Sequence, residues 1–171
     1  MNGAYTTASA LDSPTWTSLN AAVLAGTIAA VVEMIPVLGI QNGVLGVSPT
    51  RVFQAIASGL LGIAAYQGGA ATMITGIVVH WLISIGAALV FAWASTRWRD
   101  LIDHPALAGV GFGVLAFAVM TSLVVPLSAA AFPPNRDSAL ILVSLAVHML
   151  FFGLPIGLAT RWRFRLAGLK G

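Results

Sequence analysis

The sequence lacks cysteine altogether and is poor in charged residues, which make up only 8% of its 171 positions. Without cysteine the chain can form no disulfide framework, no thiolate nucleophile and no cysteine-ligated metal site or cluster. It also lacks a Walker phosphate-binding loop, the GxSxG and HExxH motifs and a dinucleotide-binding fingerprint. These absences remove the common kinds of soluble enzyme, so catalysis of that type is not expected.

Hydrophobic residues, by contrast, make up 58% of the chain. Soluble proteins carry about 25% charged residues, so this composition indicates a protein whose solvent is lipid. The net charge of +3 does not point to nucleic acid, because the basic residues gather in a few loops rather than on one soluble face. The expected partner is therefore the lipid bilayer, and nucleic acid is not expected to bind.

Four segments of the sequence are long and apolar enough to cross a membrane, which takes roughly 20 helical residues. They are predicted at 19–40, 70–95, 106–131 and 139–160, flanked by tails at 1–18 and 161–171. In the stretch from Gly68 to Ser95, His80 is the one ionisable side chain. The predicted fold is all-α: a polytopic membrane helical bundle with four transmembrane helices.

A shorter apolar segment, 50–66, lies between the first two predicted spans. Ser48 and Pro49 before it are typical of a helix start, with serine as the N-cap and proline in the first turn. The apolar part reaches only ~24 Å at about 1.5 Å per residue. It is therefore predicted to be a re-entrant or interfacial helix that turns back at Gly68 and Gly69, and a short fifth span is the alternative.

Small residues recur at four-residue spacing on two of the predicted spans. Ala22, Gly26 and Ala30 share one face of the first span, and Gly109 and Gly113 share one face of the third. Such small-xxx-small patterns let two helices approach closely. They predict close helix contacts within the bundle, or with a second copy or another membrane protein.

The Lys and Arg residues set the predicted topology. Six of them lie in the loop after the 70–95 span or in the C-terminal tail, which are predicted to share one side of the membrane. The other two, Arg51 and Arg136, are predicted to lie on the opposite side. By the positive-inside tendency both termini are predicted to be cytoplasmic. Arg161, Arg163 and Arg165 are predicted to hold the C-terminus at anionic lipid headgroups. Arg51 is predicted to bind an anion or a lipid headgroup, or to act as an interfacial anchor.

One segment resembles a known kind of protein. The run Arg51-Val52-Phe53-Gln54-Ala55-Ile56-Ala57-Ser58-Gly59-Leu60-Leu61-Gly62, followed by Gly68-Gly69 and then His80, resembles small four-helix bacterial inner-membrane proteins of uncharacterised function. The resemblance covers about a quarter of the chain. It implies a bacterial cytoplasmic membrane as the location, and it implies no activity and no functional residue.

Three ionisable residues fall at a matched depth when counted from the predicted span ends. Glu33, His80 and His148 each lie about 10–15 Å beneath the outer surface. Thr121 and Ser122 on the third span fall at a similar depth. Because a charge in hydrocarbon costs at least a few kcal/mol, such groups face the bundle and find partners there. We therefore predict a polar layer in the outer half of the bundle.

This layer has a functional and a structural interpretation. In the functional one it binds or relays a proton or a small cation, either as a minimal transporter or as part of a larger membrane assembly. The candidate residues for that role are Glu33, His80, His148, Ser84, Ser144 and Thr121. In the structural one, neutral His80 bonds Ser84 or a carbonyl on a neighbouring helix, and neutral His148 bonds Ser144.

Three further hypotheses stay open. Two histidines on different helices at one depth could ligate haem, which would make the protein an electron carrier. Glu33 with both histidines could bind a divalent metal through one carboxylate and two imidazoles. The chain could also be a non-catalytic structural subunit whose glycine faces pack against a partner.

Overall fold

The apolar segments of the sequence fold into helices that pack side by side in a computed structural model, which describes residues 14–131 and 137–168. The helices are α1 (Pro14–Gly43), α2 (Pro49–Leu61), α3 (Gly69–Arg97), α4 (Asp100–Asp103), α5 (Pro105–Leu127) and α6 (Ser138–Leu166). Within these described ranges, α1, α3, α5 and α6 are the four helices long and apolar enough to cross a membrane. The predicted all-α membrane bundle is confirmed. In it α1 contacts both α3 and α6, α2 packs on α3, and α5 packs on α6.

The observed helix ends differ from the predicted spans at several points. Helix α1 begins at Pro14 and runs through Pro36 to Gly43. The final helix continues to Leu166, so the arginines predicted to lie in a free tail are on a helix instead. Lys170 and Arg136, two residues of the topology argument, lie outside the described residues. Hydropathy marks where a helix enters lipid, whereas the backbone hydrogen bonds continue beyond it as long as the residues are compatible with a helix.

The third span ends at Leu127, four residues before its predicted end at 131. Ser128 has an extended backbone, with ψ of 173°. The chain then pairs with α2, because the Ala129 amide donates to the Gly59 carbonyl at 3.0 Å and the Ala131 amide donates to Ser58 Oγ at 3.3 Å. Residues 128–131 therefore fasten the end of α5 to α2.

The short helix α2 has the predicted start and a sharp exit. Ser48 Oγ accepts from the Arg51 amide at 3.3 Å, which confirms serine as the N-cap. With 13 residues the helix is about 20 Å long, too short to be a fifth span. A 3₁₀ turn at Gly62–Gln67 follows, and the chain reverses at Gly69, whose φ of +55° favours glycine. Gln54 Nε2 fixes this turn by donating to the Gly69 carbonyl at 3.2 Å.

Glycine lets α3 approach both α1 and α2. A Cβ added at Gly26 of α1 would lie 2.5 Å from Ile85 Cα, and one added at Gly76 of α3 would collide with the Phe53 carbonyl of α2. Ala22 and Ala30, the other members of the first predicted stripe, are buried beside Gly26. The predicted close contact of this face is confirmed.

A second close contact joins α5 to α6. A Cβ at Gly109 would lie 2.6 Å from the Gly153 carbonyl oxygen, and one at Gly113 would collide with the His148 carbonyl. Gly153 and Gly157 of α6 complete the same contact from the other side. These glycines pack inside the chain, so the face that the structural-subunit hypothesis assigns to a partner is already covered here.

Two widened π turns interrupt the long helices, one at Met120–Val124 in α5 and one at His148–Gly153 in α6. Each ends two residues before a proline, Pro126 and Pro155 respectively. Proline has no amide hydrogen, and its ring would collide with the carbonyl four residues earlier in a regular helix, so it favours a widened turn before it. A widened turn contains an extra residue and rotates the side chains on either side of it relative to a regular helix.

Thr160 in α6 has a buried hydroxyl group that makes no hydrogen bond to the described residues. The residue as a whole is fully buried. Because an unsatisfied buried hydroxyl costs about 1–3 kcal/mol, we expect Thr160→Val to raise the free energy of unfolding by about 1 kcal/mol. Thermal unfolding in detergent followed by circular dichroism measures this. Ser58→Ala is the control, and it should destabilise, because Ser58 Oγ accepts from the Ala131 amide; Thr160→Val destabilising as much would contradict the prediction.

Candidate functional site

Glu33 of α1 is the only glutamate in the chain, and its side chain is buried, with the residue 5% exposed. One carboxylate oxygen, Oε1, lies 3.6 Å from His148 Nε2 of α6, and the other, Oε2, lies 3.8 Å from His80 Nε2 of α3. The structure thus brings together three groups predicted to share one depth, each from a different helix. We call Glu33, His80 and His148 the Glu–His cluster.

Both histidines bring Nε2 close to the carboxylate, but the hydrogen of the neutral ring lies on a different nitrogen in each. His148 Nδ1 lies 2.8 Å from the Ser144 carbonyl oxygen. A carbonyl can only accept, so Nδ1 carries the hydrogen, and in the neutral ring Nε2 presents its lone pair. That lone pair faces Glu33 Oε1. His148 is therefore arranged to accept a proton from Glu33.

In His80 the hydrogen lies on the other ring nitrogen. Its Nε2 lies 3.1 Å from the Ala30 carbonyl oxygen on α1, so this nitrogen carries the hydrogen and donates it to the backbone. The prediction that His80 could bond a carbonyl of a neighbouring helix is confirmed. Ser84 donates its hydroxyl to the His80 backbone carbonyl at 2.8 Å rather than to the ring. His148 does bond Ser144, but through the carbonyl of that residue.

Aromatic rings form one wall of the Glu–His cluster. The Phe117 ring of α5 packs edge-on against His148 with centroids 5.3 Å apart, and the Phe152 ring lies 6.1 Å from it. These apolar faces lower the polarity beside the imidazole and so strengthen charge interactions there. The sequence reasoning missed both rings. Phe117 could have been found from its place four residues after Gly113, on the face that contacts α6.

Thr121 does not join the Glu–His cluster, contrary to the expectation from its depth. Its side chain is exposed, and its hydroxyl donates to the Phe117 carbonyl at 2.8 Å within its own helix. Ser122 is exposed as well. Both residues lie in the widened turn Met120–Val124, where the direction of the side chains does not follow a regular helix.

The predicted anion-binding arginines differ in their surroundings. Arg51 Nη1 donates to the Tyr66 carbonyl at 3.3 Å, and the guanidinium lies 4.2 Å from the centre of the Tyr66 ring. Arg161 Nη1 donates to the Asp103 carbonyl at 2.9 Å, so it fastens α6 to the helix before α5. The other two tail arginines, Arg163 and Arg165, lie in the last turn of α6.

The geometry of the Glu–His cluster does not fit the two cofactor hypotheses. Among the described residues, no group of three or more His, Asp or Glu side chains is arranged to hold a metal ion. For haem, both histidines would need to turn a free nitrogen toward a shared iron. Here His80 Nε2 donates to the Ala30 carbonyl, and the Glu33 carboxylate lies 3.8 Å from His80 Nε2 and 3.6 Å from His148 Nε2.

Comparison with known proteins adds no relative: no family model, no curated protein and no solved structure matches this chain. The site must therefore be interpreted from its own residues.

Proposed function

We propose that this chain is an integral membrane protein that binds and relays a proton through the Glu–His cluster, either alone as a minimal transporter or as a subunit of a larger membrane assembly. The observation that supports the proposal best is the buried Glu33 carboxylate, with His148 Nε2 at 3.6 Å and His80 Nε2 at 3.8 Å. Ionisable groups within spanning helices are costly, pair with one another and mark proton or ion pathways.

The cluster favours a proton over a larger cation. When the pair of Glu33 and His148 has no net charge, one hydrogen can occupy either of two places. It resides on the Glu33 carboxyl, or it moves to His148 Nε2 and leaves a carboxylate beside an imidazolium. Both states keep zero net charge on the pair, so the proton can move without burying an unpaired charge. A metal ion would bring uncompensated positive charge, since only one carboxylate is present.

Three helices hold the cluster, which gives the proposed relay a fixed geometry. Glu33 comes from α1, His80 from α3 and His148 from α6. Both Glu–His separations exceed a direct hydrogen bond, so transfer requires a closing motion of under about 1 Å or one bridging water. Such long contacts in the resting state are common for groups that exchange protons.

We further propose that the membrane is the bacterial cytoplasmic membrane, with both termini on the cytoplasmic side. The resemblance of the 51–62 segment to small bacterial inner-membrane proteins supports the location. The excess of Lys and Arg in the loop between α3 and α5 and near the C-terminus supports the orientation. The orientation is tested with single cysteines introduced at residues 100 and 45 and a membrane-impermeant maleimide added from the periplasmic side. Residue 45 is expected to be labelled and residue 100 is not, and labelling of residue 100 would overturn the proposed orientation.

The relay is tested by proton flux in proteoliposomes that contain a pH-sensitive dye and carry an imposed membrane potential. The wild-type protein is expected to acidify the lumen faster than protein-free liposomes, and Glu33→Gln is expected to return the rate to the protein-free value. Thr121→Val is the matched control, because it removes a polar group of similar predicted depth that lies outside the cluster. A folded Glu33→Gln protein with the wild-type rate would reject the relay.

Should the chain act only inside a larger assembly, proton binding can be measured without flux. Infrared difference spectra of the purified protein at two pH values are expected to contain a carboxyl stretching band that is absent from Glu33→Gln. Spectra of wild type and variant that coincide across the whole pH range would count against proton binding at Glu33.

A further inference from the structure

A second site lies outside the Glu–His cluster, in a partly open cavity of about 760 Å³ between α1, α2, α3 and the end of α5. This volume is in the range of roughly 300–1,000 Å³ typical of small-molecule sites. Its walls are mainly aliphatic, with Val37, Ile56, Ile83 and Val124 contributing from four helices. The cavity is therefore shaped to hold an apolar chain.

The lining of the cavity contains one charged residue, Arg51. Arg51 and Tyr66 contact each other, and Gln41 and Ser128 are the other polar residues of the lining. Arg51 carries a full positive charge, and among the described residues no carboxylate lies within ion-pair distance of it. The cavity thus combines mainly aliphatic walls with a single cation that no described carboxylate neutralises.

We infer that this cavity binds an anionic phospholipid of the surrounding bilayer, with the phosphate at Arg51 and an acyl chain along the aliphatic walls. A small soluble anion would satisfy Arg51 but leave the apolar walls empty. A zwitterionic lipid would fill the walls but bring no net negative charge to the arginine. Arg51 also lies in the first turn of α2, where the positive end of the helix adds to the attraction.

The inference is tested by native mass spectrometry of the detergent-purified protein titrated with phosphatidylglycerol and, separately, with phosphatidylcholine. Wild type is expected to prefer phosphatidylglycerol, and Arg51→Gln is expected to weaken its binding about five-fold. Binding of phosphatidylcholine should not change. Arg97→Gln is the matched control: Arg97 also packs on an aromatic ring, that of Trp93 at 5.9 Å, but does not line the cavity.

Two further arms test the acyl chain and the source of the phosphate separately. Gly59 lines the cavity, and a Cβ there would meet only Ser128 atoms, at 3.8 Å, so Gly59→Phe should extend into the cavity and reduce phosphatidylglycerol binding, with circular dichroism as the check that the variant remains folded. Inorganic phosphate at millimolar concentration should not displace the lipid. Equal phosphatidylglycerol affinity in wild type, Arg51→Gln and Gly59→Phe would overturn the inference, as would full displacement by phosphate.

The result of the lipid-binding experiment does not depend on the proposed proton relay. Glu33 does not line the cavity, so Glu33→Gln is expected to bind phosphatidylglycerol like wild type. Loss of lipid binding in Arg51→Gln with unchanged proton flux supports the lipid site alone. Loss of lipid binding in Glu33→Gln would overturn the assignment of the headgroup to Arg51.

Discussion

Replacing Gly113 by alanine is expected to lower the free energy of unfolding by about 3 kcal/mol, while the same change at Gly111, two residues away, is expected to raise it. A Cβ at Gly113 would lie 2.7 Å from Met149 Cα and would collide with the His148 carbonyl. Both are backbone atoms of α6, so no side chain can rotate aside, and the two helices must separate.

Gly111 is the matched control because it lies in the same helix but faces open space, where an added Cβ would have no atom within 4 Å. Alanine is favoured over glycine inside a helix by about 1 kcal/mol, so Gly111→Ala should stabilise by up to that amount. Thermal or denaturant unfolding in micelles, followed by circular dichroism, measures both variants. Two variants that shift stability in the same direction and by similar amounts would contradict the close contact of α5 with α6.

The same substitution should also disturb the Glu–His cluster. The backbone that a Cβ at Gly113 would strike is that of His148 itself. The ring of that histidine packs against Phe117, four residues after Gly113 on α5. Separation of α5 from α6 would therefore move His148 away from Glu33, and helix packing and site geometry depend on the same glycine contact.

Much of the fold could be predicted because its signals are local. Hydrophobic length fixed the four spans, Ser48 marked the start of α2, and Gly26 and Gly113 marked the faces that pack. The common depth of Glu33 and the two histidines followed from the constant rise of a helix, about 1.5 Å per residue. That rise is nearly independent of tertiary context, so counting residues was sufficient to place these groups in one layer.

The direction of side chains around a helix axis was harder to predict. Thr121 was expected in the polar layer, but the residue of α5 that contacts the His148 backbone is Gly113, and Thr121 lies in a widened turn before Pro126 with its side chain exposed. The proline is visible in the sequence, yet Pro36 in α1 causes no such turn, so proline alone does not determine it. The cavity could not be predicted either, because it depends on residues 128–131 leaving α5 to pair with α2.

The roles of the two histidines within the cluster also lay beyond the sequence, since they depend on which backbone carbonyl each ring meets. His80 donates from Nε2 to the Ala30 carbonyl, whereas His148 donates from Nδ1 and keeps Nε2 for Glu33. Only His148 is therefore able to take a proton from the carboxyl while keeping its existing hydrogen bond. His80 instead ties α3 to α1 through the Ala30 carbonyl.

This asymmetry predicts that the same substitution has a large effect at one histidine and a small effect at the other. His148→Gln should lower proton flux about 100-fold, the scale of losing a positioned acid–base group, because an amide cannot accept a proton near neutral pH. His80→Gln should keep the flux within roughly three-fold of wild type, because its amide can still donate to the Ala30 carbonyl as the ring does. The measurement is the dye assay in proteoliposomes, with protein content matched by quantitative blotting. Equal losses at the two positions would show that the carbonyl contacts do not assign the roles, and a larger loss at His80 would reverse them, making His80 the group that exchanges the proton with Glu33.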